Sequence, residues 1–358
     1  MIDRARARLP AILRPEAAGV PGLAPATLVL ALAALASAML AGLALGPVDL
    51  GVDAVARELA SHVPLTGVHS PLDATDDAIL WQLRAPRVVL GVLVGAMLAA
   101  AGAAYQGVFR NPLADPYLLG AAAGAGLGAT LVIAYGGSAS RDLRPLAAFT
   151  GAIAGVVIAY AIGRSVGGRG TATLILAGVT VASFLTAVQT FVQQQNSDTV
   201  QEVYAWILGQ LETSGWREVA LVSPYVAASA LVLVVHRRLL DVMAVGDEEA
   251  SSLGVPVARV RLVVVAAATL GTAAAVAMSG LIAFVGIIVP HAIRLVVGTS
   301  YRVLLPLSLV FGAAFMVLAD ILARTVIAPA ELPIGVVTAF FGAPFFAVIL
   351  RTTRSAAP

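Results

Sequence analysis

Polar side chains are so sparse in this chain that each can be asked what chemistry it would support. The four histidines, His62, His69, His236 and His291, stand far apart, and none belongs to a His-Glu-x-x-His pair that could hold a catalytic zinc. No Gly-x-Ser-x-Gly elbow presents a serine nucleophile. Cysteine is absent, which removes thiolate metal sites, Cys nucleophiles and disulfide scaffolds together. Lysine is absent too, all 22 basic residues being Arg, so the chain cannot form a Walker loop, whose glycines are followed by Lys. These absences point away from an enzyme and from a resident metal or cofactor. If ATP drives the protein, a partner subunit binds it.

The polarity that remains is patterned in other ways. Thr180, Ser183, Thr186, Gln189, Thr190, Gln193 and Gln194 recur mostly at intervals of three or four, which sets hydroxyls and amides on one face of a helix. Such a face suits either a path for a large polar ligand or hydrogen bonding between helices, and spacing leaves both readings open. In Asn111-Pro112-Leu113-Ala114-Asp115-Pro116 two prolines bracket three residues, so the chain turns there instead of continuing a helix. Gly167, Gly168 and Gly170, just before Thr171, make a second connection of low stiffness. The stretch Gly246-Asp247-Glu248-Glu249-Ala250-Ser251-Ser252-Leu253-Gly254 reads as a short helix capped by Asp247, with Ala250 and Leu253 on one face and Gly254 and Pro256 ending it. A helix of this kind inserts into a groove on another protein or rests on lipid headgroups.

The elements that must carry these residues are membrane spans. The chain has 358 residues, 59% of them hydrophobic and 12% charged, with a mean hydropathy of +0.94. A soluble domain carries about 25% charged residues, so a water-soluble fold is excluded, and no nucleic-acid partner is expected. About ten apolar runs are long enough to cross a bilayer, near 26–46, 87–108, 117–135, 145–163, 172–194, 218–235, 262–279, 281–298, 303–323 and 334–350. Only Gly280 separates the seventh from the eighth, so those two could also form one kinked segment. With both termini cytoplasmic, 15 of the 22 Arg fall on the inner side and 13 of the 20 acidic residues on the outer, as expected where Arg gathers in short cytoplasmic loops. The expected architecture is all-α and polytopic, with a basic cytoplasmic segment at 1–25, a membrane domain at 26–358 and a short surface helix near 241–256. The 34 glycines, many inside the runs, signal close helix packing. Acids are nearly absent from the run interiors; Asp320 stands one turn from Arg324, positioned for an ion pair. That scarcity weakens an ion-coupled secondary transporter, which remains the rival reading.

Several motifs in one order carry a family resemblance. They are Trp81-Gln82-Leu83-Arg84-Ala85-Pro86-Arg87; Phe109-Arg110-Asn111-Pro112 continuing through Asp115-Pro116-Tyr117-Leu118-Leu119-Gly120; Leu176-Ala177-Gly178-Val179; and the Gly246–Gly254 stretch. Further on stand Ser279-Gly280-Leu281-Ile282-Ala283-Phe284-Val285-Gly286, Pro290-His291 with Arg294, Arg302-Val303-Leu304-Leu305-Pro306, Ala330-Glu331-Leu332-Pro333-Ile334-Gly335 and Gly342-Ala343-Pro344. Together they resemble the FecCD-type permeases of ABC importers for iron chelates, haem and vitamin B12, and the C-terminal motif stands close to the vitamin B12 branch. The resemblance implies ten spans per chain in the cytoplasmic membrane and a homodimer, or a pair with a close paralogue. It also implies two cytoplasmic ATPase subunits and one extracytoplasmic substrate-binding protein. By resemblance, Asn111, Pro112, Leu113, Ala114, Asp115 and Pro116 form a cytoplasmic gate with Gly167, Gly168 and Thr171. Gly246, Asp247, Ala250, Leu253 and Gly254 belong to the coupling helix that meets the ATPase. Arg84, Arg87 and Arg324 dock the binding protein, and Thr186, Gln189, Thr190 and Gln193 line the translocation path. Val245 stands where the family often has Leu, and Asp247 where Glu is usual. A haem-ligand role for His291 is set aside, because the Pro-His pair with Arg294 recurs in relatives with other substrates and Pro290 accounts for a kink. The implied substrate is an iron-siderophore or related chelate, with vitamin B12 next and haem third.

Overall fold

The computed structural model describes residues 23–354 except 65–66, 166–170, 212 and 214. The Arg-rich start of the chain, with Arg4, Arg6, Arg8 and Arg14, and the glycines Gly167 and Gly168 lie outside the described residues. Each predicted apolar run corresponds to a helix. In chain order the α-helices are α1 (Pro25–Ala44), α2 (Val52–Ser61), α3 (Ala74–Ala78), α4 (Ala85–Phe109), α5 (Ala121–Tyr135), α6 (Ser140–Ser165) and α7 (Thr171–Gln195). They continue with α8 (Val200–Ile207), α9 (Trp216–Met243), α10 (Asp247–Ser252), α11 (Val257–Ser279), α12 (Val285–Val297), α13 (Tyr301–Thr325) and α14 (Ile334–Arg354). Among the described residues seven helices are long and apolar enough to cross a membrane, and α5, α12 and α14 supply the three shorter apolar segments. Helices α2, α3 and α8 lie in connections that hydropathy alone reads as loops.

Local chemistry sets the ends of these helices. Pro25 and Pro86 occupy first-turn positions, where the missing N–H costs nothing. Asp73 caps α3 by accepting from Thr75 N and Asp76 N at 2.9 and 2.8 Å, and a π-helical turn, Ile79–Arg84, joins α3 to α4. Arg110 ends α4 in the left-handed conformation at φ 51°.

Helix α4 is the axis of the bundle. Its sequence Ala99-Ala100-Ala101-Gly102-Ala103-Ala104 is buried on every side, because small side chains let neighbouring backbones approach closely. A Cβ added to Gly102 would land on the carbonyl of Gly286 in α12, and one on Gly95 would land on the carbonyl of Gly312 in α13. Helices α11 and α13 complete this interior, whereas α1, α6, α7 and α9 turn Leu30, Val157, Phe184 and Leu231 outward. In lipid such exposure carries no penalty, since acyl chains are as apolar as leucine.

Helices α11 and α12 are separate. Gly280 (φ 67°) ends one, Phe284 (φ 70°) precedes the other, and residues 280–283 between them are not helical. Irregular backbone at membrane depth survives only where protein satisfies its polar groups. Here the Tyr117 hydroxyl donates to Ile282 O at 3.0 Å and accepts from Ile282 N at 3.2 Å, while Gln210 N donates to Ser279 O at 2.8 Å. Gly209 O and Leu208 O in turn accept from Ile334 N and Gly335 N at the start of α14, both at 3.0 Å.

The last turn of α1 poses the same problem and meets a different answer. Arg84 donates to Leu43 O at 2.9 Å, to Ala44 O at 2.6 Å and to Val48 O, and Arg324 donates to Gly42 O. Two buried guanidinium groups therefore close the carbonyl end of α1, where their charge also complements the helix dipole. Arg84→Ala leaves three carbonyls without their guanidinium donor. It is expected to cost about 2 to 4 kcal/mol and to lower the thermal unfolding temperature in nanodiscs. Arg84→Lys is expected to recover part of that loss, because one ammonium cannot span carbonyls that a planar fork reaches. Unchanged melting of Arg84→Ala would show that the cap is dispensable.

Candidate functional site

The residues singled out by pattern gather on two faces of the bundle and along one helix between them. On the face that holds Asp247, the chain leaves α4 at Arg110 and makes the sharp turn that its prolines require. Asn111 Oδ1 accepts from Leu113 N at 3.0 Å, Ala114 N donates to Asn111 O at 3.0 Å, and Asp115 Oδ1 accepts from Tyr117 N at 2.8 Å. Leu113 is 51% exposed at the tip, while Ala114 and Pro116 are buried, Pro116 lying against Gly286. Burial pushes the Asp115 carboxyl up to about 6, with the Tyr117 N–H bond acting in the opposite direction. Thr171 begins α7 on the same side and is half-buried.

A buried amide ties this turn to the broken segment. Gln106, in the last turn of α4, donates to Ala114 O at 3.2 Å and to Gly286 O at 3.0 Å, and its oxygen accepts from Arg294. Arg294 also donates to the Tyr301 hydroxyl at 3.3 Å, and Asp241 at the end of α9 accepts from Ser300 Oγ at 2.9 Å and from Tyr301 N. Pattern reading passed over Gln106 and Tyr117. A glutamine and a tyrosine inside an Ala/Gly-rich or Leu-rich run are the available signal, because a buried polar side chain must have a partner.

Helix α10 differs from expectation in two respects. Gly246, not Asp247, occupies its cap position, and the Asp247 carboxylate makes no capping bond. It turns instead to Arg261 at 2.7 Å and Arg110 at 3.5 Å. Ala250 and Leu253 do not share an outward face: Ala250 is fully buried against the bundle, while Leu253 at 72% exposure stands out beside Val245 at 71%. Gly254 (φ 83°) and Pro256 end the segment as the sequence implies.

On the opposite face lies a cavity of about 970 Å³ lined by Arg84, Arg87, Arg141, Arg144 and Arg324 together with Glu202, Glu218 and Glu331. Of the three arginines expected here, Arg87 and Arg324 are joined through Asp320, while Arg84 bonds only to backbone carbonyls. Arg87 grips Glu331 through two bonds at 2.9 and 2.8 Å and donates to Asp320 at 2.9 Å, and Asp320 lies 3.4 Å from Arg324 one turn on. Asp320 and Arg324 thus pair as their spacing predicts. Arg84 and Arg324, however, are 5% and 3% exposed and spend donors on α1, so they line the cavity from beneath, and of the trio Arg87 is the most exposed, beside the half-exposed Glu331.

Helix α7 presents most of its polar residues outward. Thr180, Ser183, Thr186 and Thr190 are exposed, and Thr180, Ser183 and Thr190 donate to the carbonyls of Leu176, Val179 and Thr186, each at 2.9 Å. With their donors turned back on the helix, these hydroxyls offer a wet surface that binds little. Gln193 is half-buried. Gln189 parts from the group: it is 8% exposed and packs against Gly126 of α5, so within the chain it joins two helices and does not line an open face.

Comparison with known proteins agrees with this geometry. Residues 31–352 match the FecCD transport family. The cobalamin import system permease BtuC of Halobacterium salinarum is 43% identical over 277 residues, covering 77% of this chain and 74% of that protein. The Fe(3+)-citrate import system permease YfmD of Bacillus subtilis is 38% identical over 282 residues, covering 78% and 86%. A solved chain described as a metal-chelate type ABC transporter in an inward-facing conformation superposes with a TM-score of 0.79 at 29% identity, over 92% of this chain and 99% of that one. Ten apolar helices among the described residues, one of them a glycine-rich axis, with a proline-bracketed turn and a short surface helix, accord with these matches: the chain belongs to the FecCD transport family, a family of multi-pass permeases of the cell membrane.

Proposed function

We propose that this chain is the membrane-spanning subunit of a binding-protein-dependent ABC importer for a metal chelate. The observation that carries the reading is α10, a six-residue helix flanked by the exposed Val245 and Leu253, with Asp247 fastening it to Arg110 at the turn and Arg261 in α11. An exposed apolar pair on an ionically anchored helix is suited to a groove on a partner, and the absence of Lys requires that partner to bind the ATP. Two such ATPase subunits serve a homodimer, and the chain itself holds no cofactor and breaks no bond.

In this reading the Asp247 face is cytoplasmic, in keeping with the Arg residues gathered there, and both termini lie on that side. The turn at Asn111–Pro116 and the connection entering α7 at Thr171 form the inner gate. The outward hydroxyl face of α7, with Thr186, Thr190 and Gln193, lines the path along the homodimer axis, to which Phe340 and Phe341 of α14, 74% and 48% exposed, add apolar contact. The binding protein docks over the cavity on the outer face. Arg87 and Glu331 meet it directly, while Arg84 and Arg324 act from beneath by holding α1 and the rim in shape. Transport then follows from alternation: a ligand moves only if the two states hold it with different affinity.

Substitution of Leu253 by Asp places a charge where an apolar contact is required. With the chain co-assembled with its ATPase, it is expected to lower uptake by tenfold or more while the protein still reaches the membrane folded. Unchanged uptake would remove α10 from the coupling role. Arg87→Gln is expected to weaken capture of the binding protein by about tenfold at low salt, with a smaller effect at high salt, measured as dissociation from the permease in nanodiscs. Undiminished capture would leave the outer arginines a purely structural role. Substrate class is settled by uptake in the native host: loss of labelled cobalamin or of ferric chelates, one without the other, on deletion of this gene identifies the cargo. Retention of both leaves haem, the third candidate, to be tested by the same assay, and retention of all three would place the substrate outside these chelates.

A further inference from the structure

Arg110 adopts a conformation that its side chain disfavours. Among the described residues only Arg110 and Phe284 are non-glycine residues with positive φ, and a residue held in that region carries a strain that surrounding contacts must offset. Asparagine or glycine would sit there more easily. What arginine adds is reach, because its guanidinium extends from the departure point of the turn to the carboxylate of Asp247.

That carboxylate is held asymmetrically. Its Oδ2 accepts from Arg261, itself buried in the first turns of α11, at 2.7 Å. Its Oδ1 has no hydrogen-bond partner and faces Arg110 at 3.5 Å. A charge-assisted hydrogen bond is about 2.7–2.9 Å long, so an approach of under ~1 Å would complete the second contact. Arg110 is 40% exposed, so water reaches its guanidinium though not the buried Oδ1 opposite, and at 3.5 Å the contact is modest in strength. A modest contact suits a link that is made and broken in every cycle.

We infer that Arg110 is the positioning residue through which α10 acts on the gate, closing on Asp247 in one state of the transporter and letting it go in another. The inference rests on the importer reading above. Displacement of Arg110 would carry the turn at 111–116 with it. Through Gln106 and Tyr117, which bind that turn to Gly286 and Ile282, it would also carry the broken segment between α11 and α12.

The chain has no cysteine, so Leu113→Cys places a single thiol at the exposed tip of the turn. The experiment uses the complete transporter, with its ATPase and binding protein, in lipid vesicles. It measures maleimide labelling of this chain's thiol with and without a non-hydrolysable ATP analogue, and transport per ATP hydrolysed. In the Leu113→Cys parent the nucleotide should change the labelling rate. Arg110→Asn, which keeps the left-handed backbone but lacks the charge, is expected to shrink that response and the transport yield by about three- to fivefold. Arg110→Lys, which keeps the charge, should restore both, a rescue that a loss of packing would not show. Asp247→Asn, which keeps an acceptor for Arg261, should match Arg110→Asn. An undiminished response and yield in Arg110→Asn would overturn the inference and leave the importer reading standing. Absence of any nucleotide response in the parent would overturn the coupling role of α10, and the inference with it.

Discussion

Every backbone N–H and C=O at membrane depth must find its partner inside the protein, and the rest of this structure follows from that requirement. Regular helices meet it along their length, so the difficulty concentrates at helix ends and breaks. The carbonyl end of α1 is closed by Arg84 and Arg324, and the non-helical residues between α11 and α12 by the Tyr117 hydroxyl. Gln106 serves both the turn and the first residues of α12. The polar side chains of this chain are few because most of the fold has no need of them. Those of Arg84, Arg324, Gln106 and Tyr117 stand where the helical ladder stops, while the hydroxyls and amides of α7 lie along an intact helix.

The same solvent changes what holds helices together. Water cannot drive apolar faces into contact where lipid is equally apolar, so association depends on close packing. Glycine and alanine along α4 allow backbone to meet backbone at Gly102 with Gly286 and at Gly95 with Gly312. Helix α7, whose interior neighbours touch it along one side only, is the opposite case: its buried stripe of Leu174, Gly178, Val181 and Gln189 leaves the hydroxyl face without a partner in the chain. A bundle made in this way has a densely packed axis and a flank whose outer face is left uncovered within the chain.

Helix positions were legible in the sequence because a span needs a run of about 20 apolar residues, and few arrangements other than a helix can supply it. The turn after Phe109 was legible because two prolines exclude a helix at Asn111–Pro116. The break at Gly280 stayed ambiguous, since apolar composition is the same for an extended segment buried in protein as for a helix continuing through lipid. Side-chain direction was harder still. The spacing of Thr186, Gln189, Thr190 and Gln193 identifies a broad face, yet Gln189 lies at its edge, and only the glycine opposite, Gly126 in α5, turns it inward. Arg84 and Arg324 stand out in the sequence as cations assigned to the side poorer in Arg. Their partners are backbone carbonyls of α1, which no side-chain pattern reveals.

Fixed and unfixed contacts together decide where a displacement can travel. The turn at 111–116 is linked to the α11–α12 break through its neighbours: Gln106 bridges Ala114 O and Gly286 O, and Tyr117, next after the turn, holds Ile282, so a displacement of one piece is passed to the other. Ala250 seats α10 on the bundle and Arg261 holds its first residue from α11, yet the second oxygen of Asp247 is left open. A push on Val245 and Leu253 therefore meets a stiff support on the α11 side and an unfinished contact on the side of the turn. Motion follows the softer coordinate, so the path of least resistance from the surface helix to the bundle interior runs through the space between Asp247 and Arg110.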